Sequence, residues 1–192
     1  MELDIAKNIR PARPEDYNQV APLIIQAMED LACTFANTKN SQEAIPLFEH
    51  FFQKKSNQYS FEHTLVFEET GKILGSITFY DGALLSTYRK PFLEYIVEKY
   101  RVAELKIDDE TEPNEIYIDT VSVSPHHQGK GIGKQLLAAA INCAKKDRQK
   151  RIGLLVDFNN PDAKKLYTAL GFQSKGRKNL GNCIYEHLQL EL

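Results

Sequence analysis

At 192 residues, with 42% hydrophobic and 26% charged side chains, the chain carries enough apolar material for one packed core and is short for two. Its 24 basic and 26 acidic residues leave a net charge near −2, so no global field draws nucleic acid or an anionic membrane to it. The start Met1-Glu2-Leu3-Asp4 lacks the basic-then-apolar order of a signal peptide, and no apolar run approaches the ~20 residues that span a bilayer. Three cysteines without CxxC spacing (Cys33, Cys143 and Cys183) fit buried, reduced structural thiols better than a disulfide frame or a zinc site. The expectation is a cytoplasmic protein with no membrane, nucleic-acid or metal partner.

Ile5 to Ala12 reads as a first strand. Pro14-Glu15-Asp16 opens a helix, with acidic side chains at the positive end of its dipole, and Val20, Leu23, Ile24, Ala27, Met28 and Leu31 recur on one face of it. Asn40 with Glu43 has the spacing of a capping box for a second helix through Phe51 and Phe52, whose start Pro46 shifts later. The β-rich segments 63–67 and 73–80 flank a turn at Gly71-Lys72 and predict a hairpin. Residues 83–113 are a helical excursion between the third and fourth strands. In it Tyr88, Phe92, Tyr95, Ile96 and Tyr100 share a face, and the acidic run 108–112 reads as a solvated loop ended by Pro113.

Glu115 to Val123 is the next strand. A glycine-rich loop follows, then a helix striped by Ile132, Leu136, Ala139, Ala140 and Cys143. Ile152 to Phe158 is a further strand. Asn160-Pro161-Asp162 is a strong helix start, with Asn as the cap and Pro first inside, and Leu170-Gly171 is its stop. Phe172–Gln173 and Cys183–Leu190 close the chain as strands. The order strand–helix–strand–helix in this half requires a parallel pair inside an otherwise antiparallel sheet, so the class is mixed α/β.

The segment Gln128-Gly129-Lys130-Gly131-Ile132-Gly133-Lys134 carries the strongest chemical signal. It joins a strand to a helix, where unpaired amides and the helix dipole favour an anion, and its glycines let a phosphate approach those amides. A Walker A loop is excluded, because Gln128 and Gln135 stand where that motif needs Gly and Ser or Thr. The dinucleotide fingerprint is excluded too, since Lys134 or Leu136 falls at its last glycine. The adjacent His126 and His127 diverge in an extended segment and make no two-ligand metal face. The basic run 145–151 reads as a solvated helix end.

The loop is similar to the Q/R-x-x-G-x-G/A pyrophosphate loop of the GNAT acetyltransferase superfamily. Asn160-Pro161-Asp162-Ala163-Lys164-Lys165-Leu166-Tyr167 with Leu170-Gly171-Phe172 resembles that superfamily's N-x-x-A-x-x-L-Y-x-x-L-G-F motif. Together the two motifs place the resemblance over roughly residues 115–175. It implies a single N-acetyltransferase domain over 1–192 that moves the acetyl group of acetyl-CoA directly to a primary amine of a small molecule or peptide. The alternative it implies is a non-catalytic acyl-CoA-binding sensor, and dimers are common in the family.

The resemblance also implies roles. Amides of Gln128, Gly129, Lys130, Gly131, Ile132, Gly133 and Lys134 would hold the CoA pyrophosphate. The main chain of the strand ending at Val123 would pair with the pantetheine arm, and Val121 N–H would polarise the thioester carbonyl. Asn160 would bond the cofactor arm, and Tyr167 would protonate the departing thiolate. Helical spacing independently puts Asn160 and Tyr167 on one face. Asp119 lies where many members carry an acidic residue, and strand alternation groups it with Glu115, Tyr117 and Val121 as a candidate base.

Overall fold

A computed structural model describes residues 8–103, 105, 107–180 and 183–192. Seven strands form one sheet in the order β1-β2-β3-β4-β5-β7-β6. They are β1 (Ile9–Pro11), β2 (Thr64–Glu69), β3 (Lys72–Asp81), β4 (Ile116–Val123), β5 (Arg151–Asp157), β6 (Gln173–Leu180) and β7 (Cys183–Glu191). Among them only β4 and β5 pair in parallel. The expected mixed α/β sheet with one parallel pair is what the chain builds. The hairpin turn falls at Thr70-Gly71, one residue before the expected place, with both residues at positive φ, as a two-residue type I′ turn requires.

Among the described residues six α-helices flank the sheet: α1 (Tyr17–Ala27), α2 (Glu29–Phe35), α3 (Ile45–Phe52), α4 (Leu85–Tyr100), α5 (Ile132–Lys146) and α6 (Pro161–Ala169). Val20, Leu23 and Ile24 of α1 pack with Leu47, Phe48, Phe51 and Phe52 of α3 and with Phe92 and Ile96 of α4. Edge-to-face rings bind this layer, as in Tyr59–Phe92 at 4.8 Å and Phe51–Phe92 at 5.0 Å, an arrangement that places positive ring edges on negative faces. A second core joins Leu136, Leu137 and Ala140 of α5 to Ile77, Ile118, Ile152 and Leu154 of the sheet, with Tyr167 and Phe172 beside them.

Several expectations are corrected. The first helix does not run through Leu31: it breaks at Met28, whose φ of −143° is not helical, and Ala27 is exposed. Asn40 caps alone, accepting from Gln42 N at 3.1 Å, while Glu43 turns away to Thr38 Oγ1. Cys183 is exposed, and Cys33 and Cys143 are only half-buried. The acidic run is not wholly solvated. Glu110 is 2% exposed and pairs with the buried guanidinium of Arg89, while Glu112 pairs with Lys178 at 2.6 Å. Strand β6 runs for eight residues where only two were expected. The expected first strand is seen as Ile9–Pro11, and Ile5 to Lys7 lie outside the described residues.

Candidate active site

The site begins with a separation of strands. Strands β4 and β5 pair only at Ile116↔Ile152, Tyr117↔Gly153 and Ile118↔Leu154. Beyond that, β5 stays with β7 as far as Asp157↔Tyr185, whereas β4 stays with β3 as far as Gly75↔Val123. A cleft of about 1200 Å³ opens between their C-terminal halves, walled by the α1–α2 corner, the glycine loop and α6.

The free edge of β4 lies along this cleft. Ser124 N donates to Leu74 O at 2.8 Å, and strand donors alternate every second residue. Thr120 and Ser122 therefore address β3, and the main-chain groups of Val121 and Val123 address the opening. Val123 O is already occupied there, accepting from Gln26 Nε2 at 2.9 Å and Gln128 Nε2 at 3.1 Å.

At the mouth, Gly129 and Gly131 have φ of +74° and +80°. A Cβ on either would meet nothing within 4 Å, so the loop presents bare backbone to the opening. Gly131 is the N-cap of α5, and Gln135 N is the first amide to return to the loop, at Gly131 O. The amides of Ile132, Gly133 and Lys134 are thus the unpaired donors of a helix start, aligned with its dipole. Lys130 and Lys134 are exposed beside them. Free amides, open space and positive charge fit a diphosphate.

Asp119 sits at a break in the ladder. Thr78 opposes Thr120, but Phe79 opposes Ile118, so Asp119 is the extra residue of a β-bulge, a device that re-aims a side chain. The bulge corrects the expectation that Glu115, Tyr117, Asp119 and Val121 share one face. Val121 packs with Ile118 and α5, whereas Tyr117 packs with Tyr80 and Leu85 on the opposite side. Asp119 stays on the Tyr117 side, where its Oδ2 accepts from Tyr80 Oη at 2.5 Å and Gln58 Nε2 at 2.8 Å. Burial, reinforced by the charge of Glu110, pushes its carboxyl up to about 6, against the pull of those two donors.

Tyr167 faces the cleft from α6. Asn160 caps that helix, its Oδ1 accepting from Ala163 N at 3.1 Å, which leaves the carboxamide N–H groups for a ligand. Tyr167 is 7% exposed and packs edge-on to Phe172. Burial pushes its phenol up to about 12. Asp119, Val121, Val123, Gln128, Gly129, Gly131, Ile132, Gly133, Lys134, Asn160 and Tyr167 all line the one cleft, whereas Lys130, exposed in the same loop, does not.

Gln26, Gln58 and Tyr80, which the sequence alone does not single out, bond to groups of this candidate site. Each reaches the site across a long sequence gap, and none belongs to a local motif. Among the described residues no group of three or more His, Cys, Asp and Glu is placed to hold a metal ion, and no helix is long and apolar enough to cross a membrane.

The chain is 37% identical over 70 residues to a probable spermine N(1)-acetyltransferase of Bacillus subtilis subsp. natto, an alignment covering 36% of this chain and 46% of that protein. The chain therefore spans less than half the length of that curated relative. A solved acetyltransferase is 32% identical with a TM-score of 0.79, over 95% of this chain and 98% of its own. An N-acetyltransferase from Staphylococcus aureus Mu50 is 26% identical with a TM-score of 0.82, over 95% and 99%. The model of the acetyltransferase (GNAT) family matches residues 24–172, and the chain belongs to that family.

Proposed function

We propose that this protein transfers the acetyl group of acetyl-CoA directly to a primary amine, with both substrates bound together in the cleft. The observation that carries this reading is the convergence, at the point where β4 leaves β5, of a bare amide cradle and two proton-handling side chains. Acetyl-CoA supplies the activated acetyl thioester. The amides from Gln128 to Lys134 hold its pyrophosphate, and the cleft-facing main chain of Val121 and Val123 aligns its arm. Val121 N–H is placed to stabilise negative charge on the thioester oxygen as the amine adds.

Asp119 and Tyr167 divide the proton work. An amine is protonated near neutral pH and must lose a proton before it can attack. A carboxyl near 6 is ionised at that pH yet basic enough to take the proton. Tyr167, near 12, keeps its proton until a thiolate departs and then donates it to sulfur. The second proton lost from nitrogen as the amide forms balances the one delivered by Tyr167. Holding the two reactants in line removes much of the entropic barrier, so no covalent enzyme species is needed.

The lining of the cleft includes Glu29, Asp30, Asp119, Asp157 and Asp162, which favours a cationic amine. The similarity to a spermine acetyltransferase makes polyamines the first compounds to try.

Isothermal titration with acetyl-CoA tests the reading, using the intact protein and Gly131→Glu. Micromolar binding that the variant loses is expected, followed by thiol release with an amine panel. Failure of the intact protein to bind acetyl-CoA would overturn the proposal.

A further inference from the structure

Asp119 is held by a chain of buried side chains from three other parts of the fold. The loop after α3 is locked by Asn57, whose Nδ2 donates to Phe51 O and Lys54 O, both at 2.9 Å, and whose Oδ1 accepts from Tyr59 N. This fixes the neighbouring Gln58, whose main-chain N also donates to Tyr88 O in α4. The Gln58 side chain, 4% exposed, donates from Nε2 to Asp119 Oδ2 at 2.8 Å and accepts on Oε1 from Arg89 Nε at 3.4 Å. Arg89 is itself held by the Glu110 carboxylate and by Asp108 O.

The chemistry of the chain has a direction. A guanidinium only donates, so Arg89 requires the oxygen of the Gln58 amide to face it. The Gln58 nitrogen must then face Asp119. Tyr80 uses the same Oδ2, which leaves Oδ1 without a protein partner among the described residues, in a residue that lines the cleft.

We infer that Gln58 and Arg89 are positioning residues, which occupy one carboxylate oxygen of Asp119 and so present the other to the incoming amine. This rests on the transferase reading proposed above. The ordering costs little on binding, because every group in the chain is already buried and paired in the free protein. The other groups set against Asp119 are Tyr80 of β3, Tyr59 beside Gln58 and Tyr117 of β4, together with the Arg89–Glu110 pair, whose charges act on it in opposite senses.

The test is an NMR titration of protein labelled at its aspartate carboxyl carbons, with Asp119→Asn identifying the resonance. Intact protein is compared with Gln58→Leu. It is also compared with the double variant Arg89→Met/Glu110→Leu, which removes both buried charges at once and so avoids stranding either. Gln58→Leu, which removes a donor to the carboxylate, is expected to move the Asp119 midpoint upward, whereas the double variant should move it downward, because Glu110 raises that carboxyl more than Arg89 lowers it. In parallel, kcat with spermine should fall about 10- to 100-fold while KM for acetyl-CoA holds. An Asp119 midpoint that does not rise in folded Gln58→Leu would overturn the inference. A midpoint that moves in protein that releases no thiol with any amine supports the positioning chain and overturns the transferase reading instead.

Discussion

The phenol of Tyr80 donates to Asp119 Oδ2 at 2.5 Å, from one side of the bulge that Asp119 makes in β4. Tyr80 is buried, and burial holds its own proton on well above its ordinary value, so it acts as a fixed donor. That bond favours the ionised carboxyl and offsets part of the burial that raises it. In Tyr80→Phe the Asp119 carboxyl should rise above about 6 and the acid limb of the kcat/KM profile should move with it. The loss of rate should be greatest near neutral pH and recover at higher pH. An acid limb that stays in place would remove Tyr80 from the account.

Asp119 should also cost stability. Its carboxyl lies near 6 in the folded protein against an ordinary 3.8, so the folded state binds the proton more tightly than the unfolded chain. Stability is then lost as pH rises from about 4 to about 6 and stays lost above that window. Asp119→Asn keeps an acceptor for Tyr80 and Gln58 without the charge. Urea unfolding at pH 8 should find the variant more stable by on the order of 2 kcal/mol, and at pH 3.5 no different, while its transferase activity collapses. Equal stability at both pH values would show that the carboxylate is better solvated than its surroundings suggest.

Tyr167 offers a separation of packing from chemistry. Its ring fills the second core beside Phe172, and among the described residues no protein group bonds its hydroxyl. Tyr167→Phe therefore keeps the packing and removes only a proton that the protein itself does not use. Melting temperature should change little, while kcat should drop by roughly 10²-fold or more with KM for acetyl-CoA unchanged. A variant that keeps full kcat would hand the thiolate's proton to another donor.

The cradle was legible in sequence because its requirements are local. Glycines, a helix start and an Asn-Pro cap are read within a few residues of one another, and Gly131 and Asn160 sit at the caps of α5 and α6. The surroundings of Asp119 were not legible, because its partners are distant: Gln58 lies 61 residues away and Tyr80 39. The bulge was hidden too, since nothing in Ile-Tyr-Ile-Asp-Thr-Val-Ser-Val marks where alternation slips, and Val121 therefore went to the wrong face. Strand β6 was missed because, as an exposed sheet edge, it carries the Lys, Arg, Gly and Asn that guard edges against further pairing and that resemble a loop. The acidic run misled for the opposite reason. Its charge pattern reads as solvent-facing, and only the fold shows that Arg89 is buried opposite Glu110.

Gly153 tests how tightly the base of the cleft is built. It sits in β5 opposite Tyr117, just before the strands part. A Cβ there would overlap Glu115 Oε2 and stand 2.9 Å from Glu115 Cδ and 3.0 Å from His187 Nε2. Glu115 has no room to give, because it is fully buried and its oxygens accept from Glu112 N and Gln189 Nε2 and face His187 Nε2. Its displacement would break a satisfied polar cluster as well as crowd the strand, two costs that add. Gly153→Ala should therefore destabilise the protein by about 3 kcal/mol or more, measured by urea unfolding at pH 7. Gly129→Ala, placed in open space at the loop, provides the contrast: its cost should be limited to about 1 kcal/mol of backbone strain. If the two substitutions cost the same, the tight packing of Glu115 against β5 would not be what requires glycine at 153.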